Sequence, residues 1–169
     1  ADRALQVNGN SYPSVLKAVN NTGATSRVFS TTTLSTGTWY HITVTYTGGS
    51  AGTFKIYLNG VDDSGATAAA APDTLADQDS RIGCYGNNSA NYAGYMCDVA
   101  VWDKALSATE VDLIYGDGKR VYLSGVSCAS SLLSWWRMGS DPLDDKDTIV
   151  DQVGGRNATG DNLETADIT

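Results

Sequence analysis

Residues 38–49 read TWYHITVTYTGG, in which apolar and polar side chains alternate over the length of one β-strand. The apolar set of this alternation consists of Tyr40, Ile42, Val44 and Tyr46. The other set consists of Trp39, His41, Thr43 and Thr45. Successive side chains of a strand point to opposite faces, so we expect the first face to be buried and the second to be half exposed.

The segment 53–60, TFKIYLNG, repeats this alternation and ends on Asn59-Gly60, a strong signal for a two-residue hairpin. A hairpin joins antiparallel neighbours, so the sheet is expected to be antiparallel and locally connected. Segments with strand composition are Ala4–Val7, Ser14–Val19, Ser26–Ser30, Trp39–Thr47, Phe54–Leu58, Arg81–Tyr85, Tyr95–Trp102 and Leu132–Arg137. The small, polar segment 65–80 is predicted to be a surface loop.

One helix is predicted, in the stretch KALSATEVDLIYGDG. Ser107 and Glu110 have the spacing of a capping box, and Gly116 supplies a stop, which places the helix at about 108–115. A helix of two turns is marginal alone, so its apolar face must pack on the sheet.

The composition of the 169 residues favours an all-β protein with many turns: 41% are apolar, only 18% are charged, and 18 are glycine. The net charge of −8 argues against a nucleic-acid partner, which requires a basic surface. No apolar run reaches the ~20 residues of a membrane helix, so membrane insertion is not expected. The chain opens without Met or a signal-peptide pattern, and we expect it to be part of a longer chain.

The block 37–118 resembles the laminin-G-like, concanavalin-A-like jelly-roll domains. The resemblance lies in TGTWYHITVTYTG, GTFKIYLNGV, SRIGCYGN and YAGYMCDVAVWDKALSATEVDLIYGDG. It implies an all-β, two-sheet antiparallel jelly-roll sandwich with one short helix. One departure matters: Cys97 stands where relatives carry the first acid of G-Y-I-D-E-V, although Asp98 keeps the second. A family role of that first acid, including a metal contact, therefore does not carry over.

The carboxyl-terminal stretch LLSWWRMGSDPLDDKDTIVDQVGGRNATG resembles the usual opening of these domains. We expect a single domain, 1–169, in which 131–169 supplies a family-opening-type strand at the carboxyl end. Either the strand order is permuted or a tandem array is truncated. The first is favoured, because Trp135 and Trp136 need burial. Such a tail also resembles structural proteins of tailed, particularly marine, phages.

The same fold hosts glycoside hydrolases, which carry paired carboxylates as Glu-x-Asp-x-x-Glu. This chain has only two glutamates, Glu110 in the helix cap and Glu164 near the end. His41 is the single histidine, and no nucleophile motif accompanies it. We therefore expect no enzymatic activity.

The stretch SDPLDDKDT is a candidate calcium site, because calcium takes several oxygen ligands from one loop. The candidate ligands are Asp141, Asp144, Asp145 and Asp147. The favoured interpretation of the stretch is a solvated acidic turn, and calcium binding is the alternative. Asp62 and Asp63 form a second, weaker candidate. No other cofactor is expected.

Three cysteines cannot all pair within one chain. Cys84 and Cys97 flank a loop between two expected antiparallel strands, so a cross-strand disulfide is one possibility. The other is that they are buried thiols, and Cys128 remains in either case.

A glycan site is predicted in CYGNNSANYAGY, because sugars stack on aromatic rings and bond to planar amides. The candidate contacts are Tyr85, Asn87, Asn88, Asn91, Tyr92 and Tyr95. The alternative is that these are ordinary turn residues.

The leading hypothesis is a non-enzymatic structural or adhesion domain on a surface assembly, namely a phage virion decoration or fibre protein with possible glycan binding. Its partners would be other subunits of that assembly and host-surface glycans, and its location the virion surface or the extracellular space. The alternative is a carbohydrate-binding module of a secreted bacterial protein.

Overall fold

The computed structural model describes residues 2–8, 15–21, 25–48, 53–67, 81–85 and 90–160. Its strands are β1 (Asp2–Asn8), β2 (Val15–Asn21), β3 (Thr25–Ser30), β4 (Ile42–Tyr46), β5 (Phe54–Leu58), β6 (Val61–Asp62), β7 (Ser64–Thr67), β8 (Cys84–Tyr85), β9 (Ala90–Asn91), β10 (Val99–Trp102), β11 (Leu132–Trp136), β12 (Thr148–Ile149) and β13 (Ala158–Thr159). The helix α1 spans Ala108–Tyr115, and short 3₁₀ turns span Gly116–Gly118, Leu123–Gly125 and Ala129–Ser131. All of the strand pairings in these residues are antiparallel, and α1 is their single α-helix, as predicted.

The described residues form two compact units. The first unit contains those of Ala1–Asn91 and Ala105–Val121, and the second contains those of Tyr92–Lys104 and Tyr122–Thr169. The expectation of a single domain over the whole chain stays a prediction. None of the described helices is long and apolar enough to cross a membrane.

The first unit is built from two antiparallel sheets with the strand orders β1-β2-β3-β7 and β4-β5-β6, plus the pair β8-β9. The predicted hairpin is confirmed: Asn59 and Gly60 have φ of 50° and 81°, the left-handed pair that a tight two-residue turn between β5 and β6 requires. The Asn59 side chain also accepts a hydrogen bond from the His41 N–H at 2.9 Å. This bond ties the turn to the residue that precedes β4.

The core of the first unit lies between its two larger sheets. Val28 of β3 belongs to the same buried cluster as Phe54, Ile56 and Leu58 of β5, so the sheets pack face to face. The predicted apolar face packs against this cluster, through Tyr40, Ile42, Val44 and Tyr46. The prediction for the opposite face was wrong, because Thr43 and Thr45 are buried rather than half exposed. The apolar face, predicted to be buried, is only half-buried, so alternation identifies which side chains are apolar but not which face of the strand is covered.

Helix α1 begins and ends as predicted. The Ser107 N–H donates to Glu110 Oε2 at 2.9 Å, and the Glu110 N–H donates to Ser107 Oγ at 3.3 Å, which completes the capping box. Gly116 ends the helix with φ of 59°. Val111 and Ile114 are buried, so the apolar face of the helix is packed.

In the second unit, β11 pairs antiparallel with β10, with Val99 opposite Trp136 and Ala100 opposite Trp135. The carboxyl-terminal segment therefore forms a strand that pairs within this chain, and Trp135 is buried. The short strands β12 and β13 pair with each other farther along.

Several strand boundaries differ from the predicted ones. The strands expected from Arg81 and from Tyr95 begin only at Cys84 and Val99, and β7 lies at the start of the predicted loop 65–80. Small residues form β7 because β3 offers them a pairing partner, which composition alone does not reveal. Residues 68–80 lie outside the described part.

Candidate functional site

The predicted tyrosine–asparagine site is described only in part. Asn87 and Asn88 lie outside the described residues, and Tyr85 and Asn91 are described only as the backbone of β8 and β9. The side chains of Tyr92 and Tyr95 are described. The assignment of the full set to glycan contact stays a prediction.

Tyr92 and Tyr95 present exposed rings in the loop before β10. Their exposed fractions are 47% and 85%. The ring of Tyr92 lies against Gly94, where a Cβ would come within 2.8 Å of the ring and its hydroxyl. Glycine at position 94 is therefore what lets this ring lie close to the backbone. An aromatic ring in such a position offers a flat apolar surface with a polar tip.

The predicted calcium ligands each make local contacts in the acidic turn. Asp144 accepts hydrogen bonds from the N–H groups of Gly139 at 2.8 Å and Val150 at 2.7 Å. Asp145 accepts from the N–H groups of Asp147 at 2.9 Å and Thr148 at 2.7 Å. These contacts are those of aspartates that stabilise turns.

The other two predicted ligands contact cations of the chain. Asp141 Oδ2 lies 3.8 Å from Arg137 Nη1, and both carboxylate oxygens of Asp147 lie 2.6 Å from Lys146 Nζ. In the part of the chain that the structure describes, no group of three or more His, Cys, Asp or Glu side chains is arranged to hold a metal. Both Asp141 and Asp147 are poorly suited to bind a cation, because a positively charged side chain of the chain lies beside each of them. The calcium site stays a prediction.

The second acidic candidate consists of two carboxylates with separate contacts. Asp62 pairs with Lys55 at 2.7 Å. Asp63 accepts hydrogen bonds from the hydroxyls of Thr31 and Thr32, the latter at 2.9 Å. Each carboxylate serves to join neighbouring segments of the first unit.

The predicted disulfide stays a prediction as well. Cys97 is exposed and Cys128 is a buried thiol, while the side chain of Cys84 lies outside the described part. The burial of Cys128 agrees with the behaviour of a free thiol as a small apolar side chain.

A second aromatic site, which the sequence did not reveal, lies beside β11. Trp135 meets the ring of Tyr122 edge-on, with centroids 5.9 Å apart, and its Nε1–H donates to Asp98 Oδ1 at 3.0 Å. The Arg137 guanidinium carbon lies 5.6 Å from the centroid of the Tyr122 ring. Asp141 lies four residues after Arg137 in the sequence. We call Tyr122, Arg137 and Asp141, with Trp135 behind them, the Tyr122 cluster.

The charged pair of the Tyr122 cluster is mostly buried. The side chains of Arg137 and Asp141 are only 14% and 12% exposed, and Arg137 Nε is buried with no hydrogen-bond partner among the described residues. Tyr122 lies in an irregular segment and is separated from Arg137 by 14 residues, so neither periodicity nor spacing marks the three as neighbours. Their proximity is a tertiary feature.

Asp151 is a buried carboxylate with a structural role. Oδ1 accepts from the N–H groups of Trp135 at 2.9 Å and Val153 at 3.1 Å, and Oδ2 accepts from those of Gly154 at 3.1 Å and Arg156 at 3.0 Å. Burial alone would raise the pKa of Asp151, but hydrogen bonds from these backbone N–H groups outweigh it and hold the pKa below its ordinary value. A carboxylate in this state is a poor proton donor at neutral pH.

The remaining candidates for acid–base chemistry are also occupied structurally. Glu110 caps α1, and Glu164 lies outside the described residues. His41 lies 5.6 Å from the Tyr115 ring, and burial lowers the pKa of its imidazole. Of these groups, the two that the structure describes, Glu110 and His41, are not arranged as a pair of glycosidase carboxylates.

Comparison with known proteins places the fold. A laminin G family model described as "Concanavalin A-like lectin/glucanases superfamily" matches residues 2–112. The structure is similar to that of a Bacteroides ovatus protein named as a candidate carbohydrate-binding protein, with a TM-score of 0.68 and 23% identity. That match covers 93% of this chain but 44% of the other, so this chain spans less than half of that protein. No curated protein matches the chain. The predicted concanavalin-A-like fold class is confirmed.

Proposed function

The chain belongs to the concanavalin A-like lectin/glucanases superfamily, and from that premise we propose that it is a non-catalytic carbohydrate-binding domain. The observation that carries the proposal is the pair of exposed rings of Tyr92 and Tyr95. The name of the Bacteroides ovatus neighbour supports the same class of ligand. Of the two functions predicted from the sequence, carbohydrate binding was the alternative and the virion role was the leading hypothesis.

Binding would proceed by stacking. The apolar C–H face of a sugar ring packs on an aromatic ring, and the neighbouring polar groups bond to its hydroxyls. Tyr92 is suited to this because its ring is exposed and the missing Cβ of Gly94 leaves room for it beside the backbone. Tyr95, three residues on, offers a second ring.

The absence of catalysis is part of the proposal. A glycosidase needs one carboxyl group with a raised pKa and a second one across the scissile bond. Asp151 has the opposite shift, and Glu110 is held by Ser107 in the helix cap. A domain with these carboxylates would bind a glycan and release it unchanged.

The test is a glycan array on the purified chain, followed by titration of the best ligand against variants. We expect Tyr92→Ala with Tyr95→Ala to weaken binding about tenfold or more, since each aromatic contact contributes ~0.5–1.5 kcal/mol. Trp39→Ala removes another exposed aromatic ring, from the first unit, and is the matched control that should bind normally. An array without a single bound glycan, or a double variant that binds like the parent, would refute the proposal.

The virion role expected from the sequence stays a prediction. A subunit of such an assembly should form a defined oligomer, whereas a binding module should be monomeric. Light scattering with in-line size separation distinguishes the two. A repeat in the presence of a calcium chelator tests the predicted calcium site.

A further inference from the structure

We propose that residues 117–122 form a proteolytic processing site, at which an endoprotease specific for paired basic residues hydrolyses the bond between Arg120 and Val121. We call these six residues the junction, because they lie between α1 and the carboxyl-terminal segment that contains β11. The protease is defined by its chemistry: its primary pocket carries an acidic group that receives an arginine or lysine side chain. The proposal does not depend on carbohydrate binding.

The sequence of the junction occurs once in the chain. The chain has 11 lysine and arginine residues, and Lys119-Arg120 is the single place where two of them are adjacent. A protease that requires a basic residue at both positions therefore finds one site in 169 residues. The sequence alone does not show whether the folded chain presents it.

The backbone of the junction is turned away from the helix and then extended. Gly116, Asp117 and Gly118 have φ of 59°, 54° and 74°, and this run of left-handed residues ends α1 and redirects the chain. Lys119 follows with φ of −95° and ψ of 151°, and Tyr122 has φ of −81° and ψ of 106°. Both residues are extended, which is the conformation in which a peptide adds to a binding cleft as a strand.

The junction is also accessible in the folded chain. Residues 117–120 are exposed, and Tyr122 is 61% exposed. The Lys119 N–H donates to the Gly116 carbonyl oxygen at 3.0 Å, and the Tyr122 carbonyl oxygen accepts from the Gly125 N–H at 3.1 Å. Both bonds span three residues, so they can break without the loss of a strand pairing. Exposed segments of this kind are the preferred places for proteolytic nicking.

The other basic residues are less suitable for cleavage by such a protease. Four lie within paired strands, which would have to separate first: Arg3, Lys17, Arg27 and Lys55. The side chain of Arg137 is only 14% exposed, and Arg156 donates to the Leu133 carbonyl oxygen. The remaining three are exposed but single: Arg81, Lys104 and Lys146. The junction therefore combines exposure, extended backbone and a basic pair, which no other basic residue of the chain combines.

Hydrolysis would cut the chain without releasing its carboxyl-terminal piece. One water adds across the peptide bond, which leaves a carboxylate on Arg120 and an amine on Val121. Within the second unit, β11 of the carboxyl-terminal piece pairs with β10, which stays attached to the amino-terminal piece. The Trp135 Nε1–H also donates to Asp98 Oδ1 at 3.0 Å, and Trp135 is buried. Noncovalent contacts alone then hold the piece, so its release requires that β10 and β11 separate.

The experiment is limited proteolysis of the folded full chain, with the masses of the pieces measured over time. Trypsin, which accepts single basic residues, should make its first cut after Lys119 or Arg120, and a protease that requires paired basic residues should cut after Arg120. Lys119→Gln with Arg120→Gln should abolish these cuts. Lys104→Gln with Lys146→Gln removes two exposed single basic residues and is the matched control, which should be cut like the parent. Thermal melts verify that each variant is folded.

The outcomes test accessibility and retention separately. A first trypsin cut at another basic residue overturns the proposal, as does a paired-basic protease that cuts the unfolded chain but leaves the folded chain intact. A cutting rate that rises with urea in step with global unfolding also overturns it, because the junction would then open only in the unfolded state. Pieces that elute together in native buffer and separate in urea support retention by β10 and β11, whereas pieces that separate without urea overturn it. Glycan binding enters none of these readouts, so the proposed function is tested independently.

Discussion

Replacing Asp151 by alanine removes one buried carboxylate that four backbone N–H groups share. The donors belong to β11 and to the turn after Asp151, so the carboxylate joins two segments of the second unit. A hydrogen bond contributes about 1 kcal/mol net, and a buried donor left without a partner costs at least as much. Four such donors predict a loss of about 4 kcal/mol in the free energy of unfolding. Asp151→Asn keeps one acceptor oxygen and should lose about 2 kcal/mol.

The measurement is urea unfolding followed by tryptophan fluorescence, for which Trp135 and Trp136 lie beside the site. Asp147→Ala is the matched control: this side chain is exposed, and its partner among the described residues is the neighbouring Lys146, so the change should stay within about 0.5 kcal/mol. An Asp151→Ala variant that is as stable as the control would refute the claim that this carboxylate stabilises the fold by joining two segments. An altered denaturant dependence would indicate a changed denatured state instead.

Acid should lower the free energy of unfolding of the parent chain by protonating Asp151. The pKa of Asp151 is lower in the folded chain than its ordinary 3.8, so between these two values the unfolded chain binds more protons. The stability that the carboxylate contributes is therefore present above pH 3.8 and is lost as the pH falls below it. Asp151→Asn should lack this part of the acid dependence, and an unchanged slope would contradict the pKa shift.

Two further predictions concern close packing and pH. Gly154→Ala should lose about 1–3 kcal/mol in urea unfolding, because its Cβ would lie 2.4 Å from the Leu133 carbonyl oxygen; Gly125→Ala, with nothing within 4 Å, is the control. Burial lowers the pKa of His41 from 6.5, so the free energy of unfolding should rise with pH through the window just below that value. Unfolding measured from pH 5 to 7 should lose this slope in His41→Gln, and a variant that retains it would show that another group is responsible.

Local features were predicted well because their causes are local. The capping box of Ser107 and Glu110 needs only a spacing of three residues, and the Asn59-Gly60 turn needs only two residues that tolerate positive φ. The predicted apolar face that contains Ile42 and Val44 follows from the period of a strand. The capping box and the turn agree with the structure, while the apolar face packs on the core but is only half-buried.

Features that depend on distant partners were missed or misjudged. Thr43 and Thr45 look half exposed in a strand pattern but are buried, since burial depends on what covers a face. The calcium site itself stays a prediction, but the oxygens of the four candidate aspartates contact backbone N–H groups and nearby cations, which composition does not reveal. Composition places carboxylates in a loop without determining where their oxygens point.

The sequence by itself determined the antiparallel β class, the single short helix and the hairpin, because each depends on backbone preferences within a few residues. The sequence also indicated the concanavalin-A-like family, through several closely spaced motifs in residues 37–118. Only the tertiary structure brought Tyr122 beside Arg137 and gathered four N–H groups around Asp151. The Tyr122–Arg137 contact and the bond from the Trp135 N–H to Asp151 join segments that are distant in sequence, so they arise from the way the chain packs, whereas the other three N–H groups around Asp151 belong to the local turn that follows it.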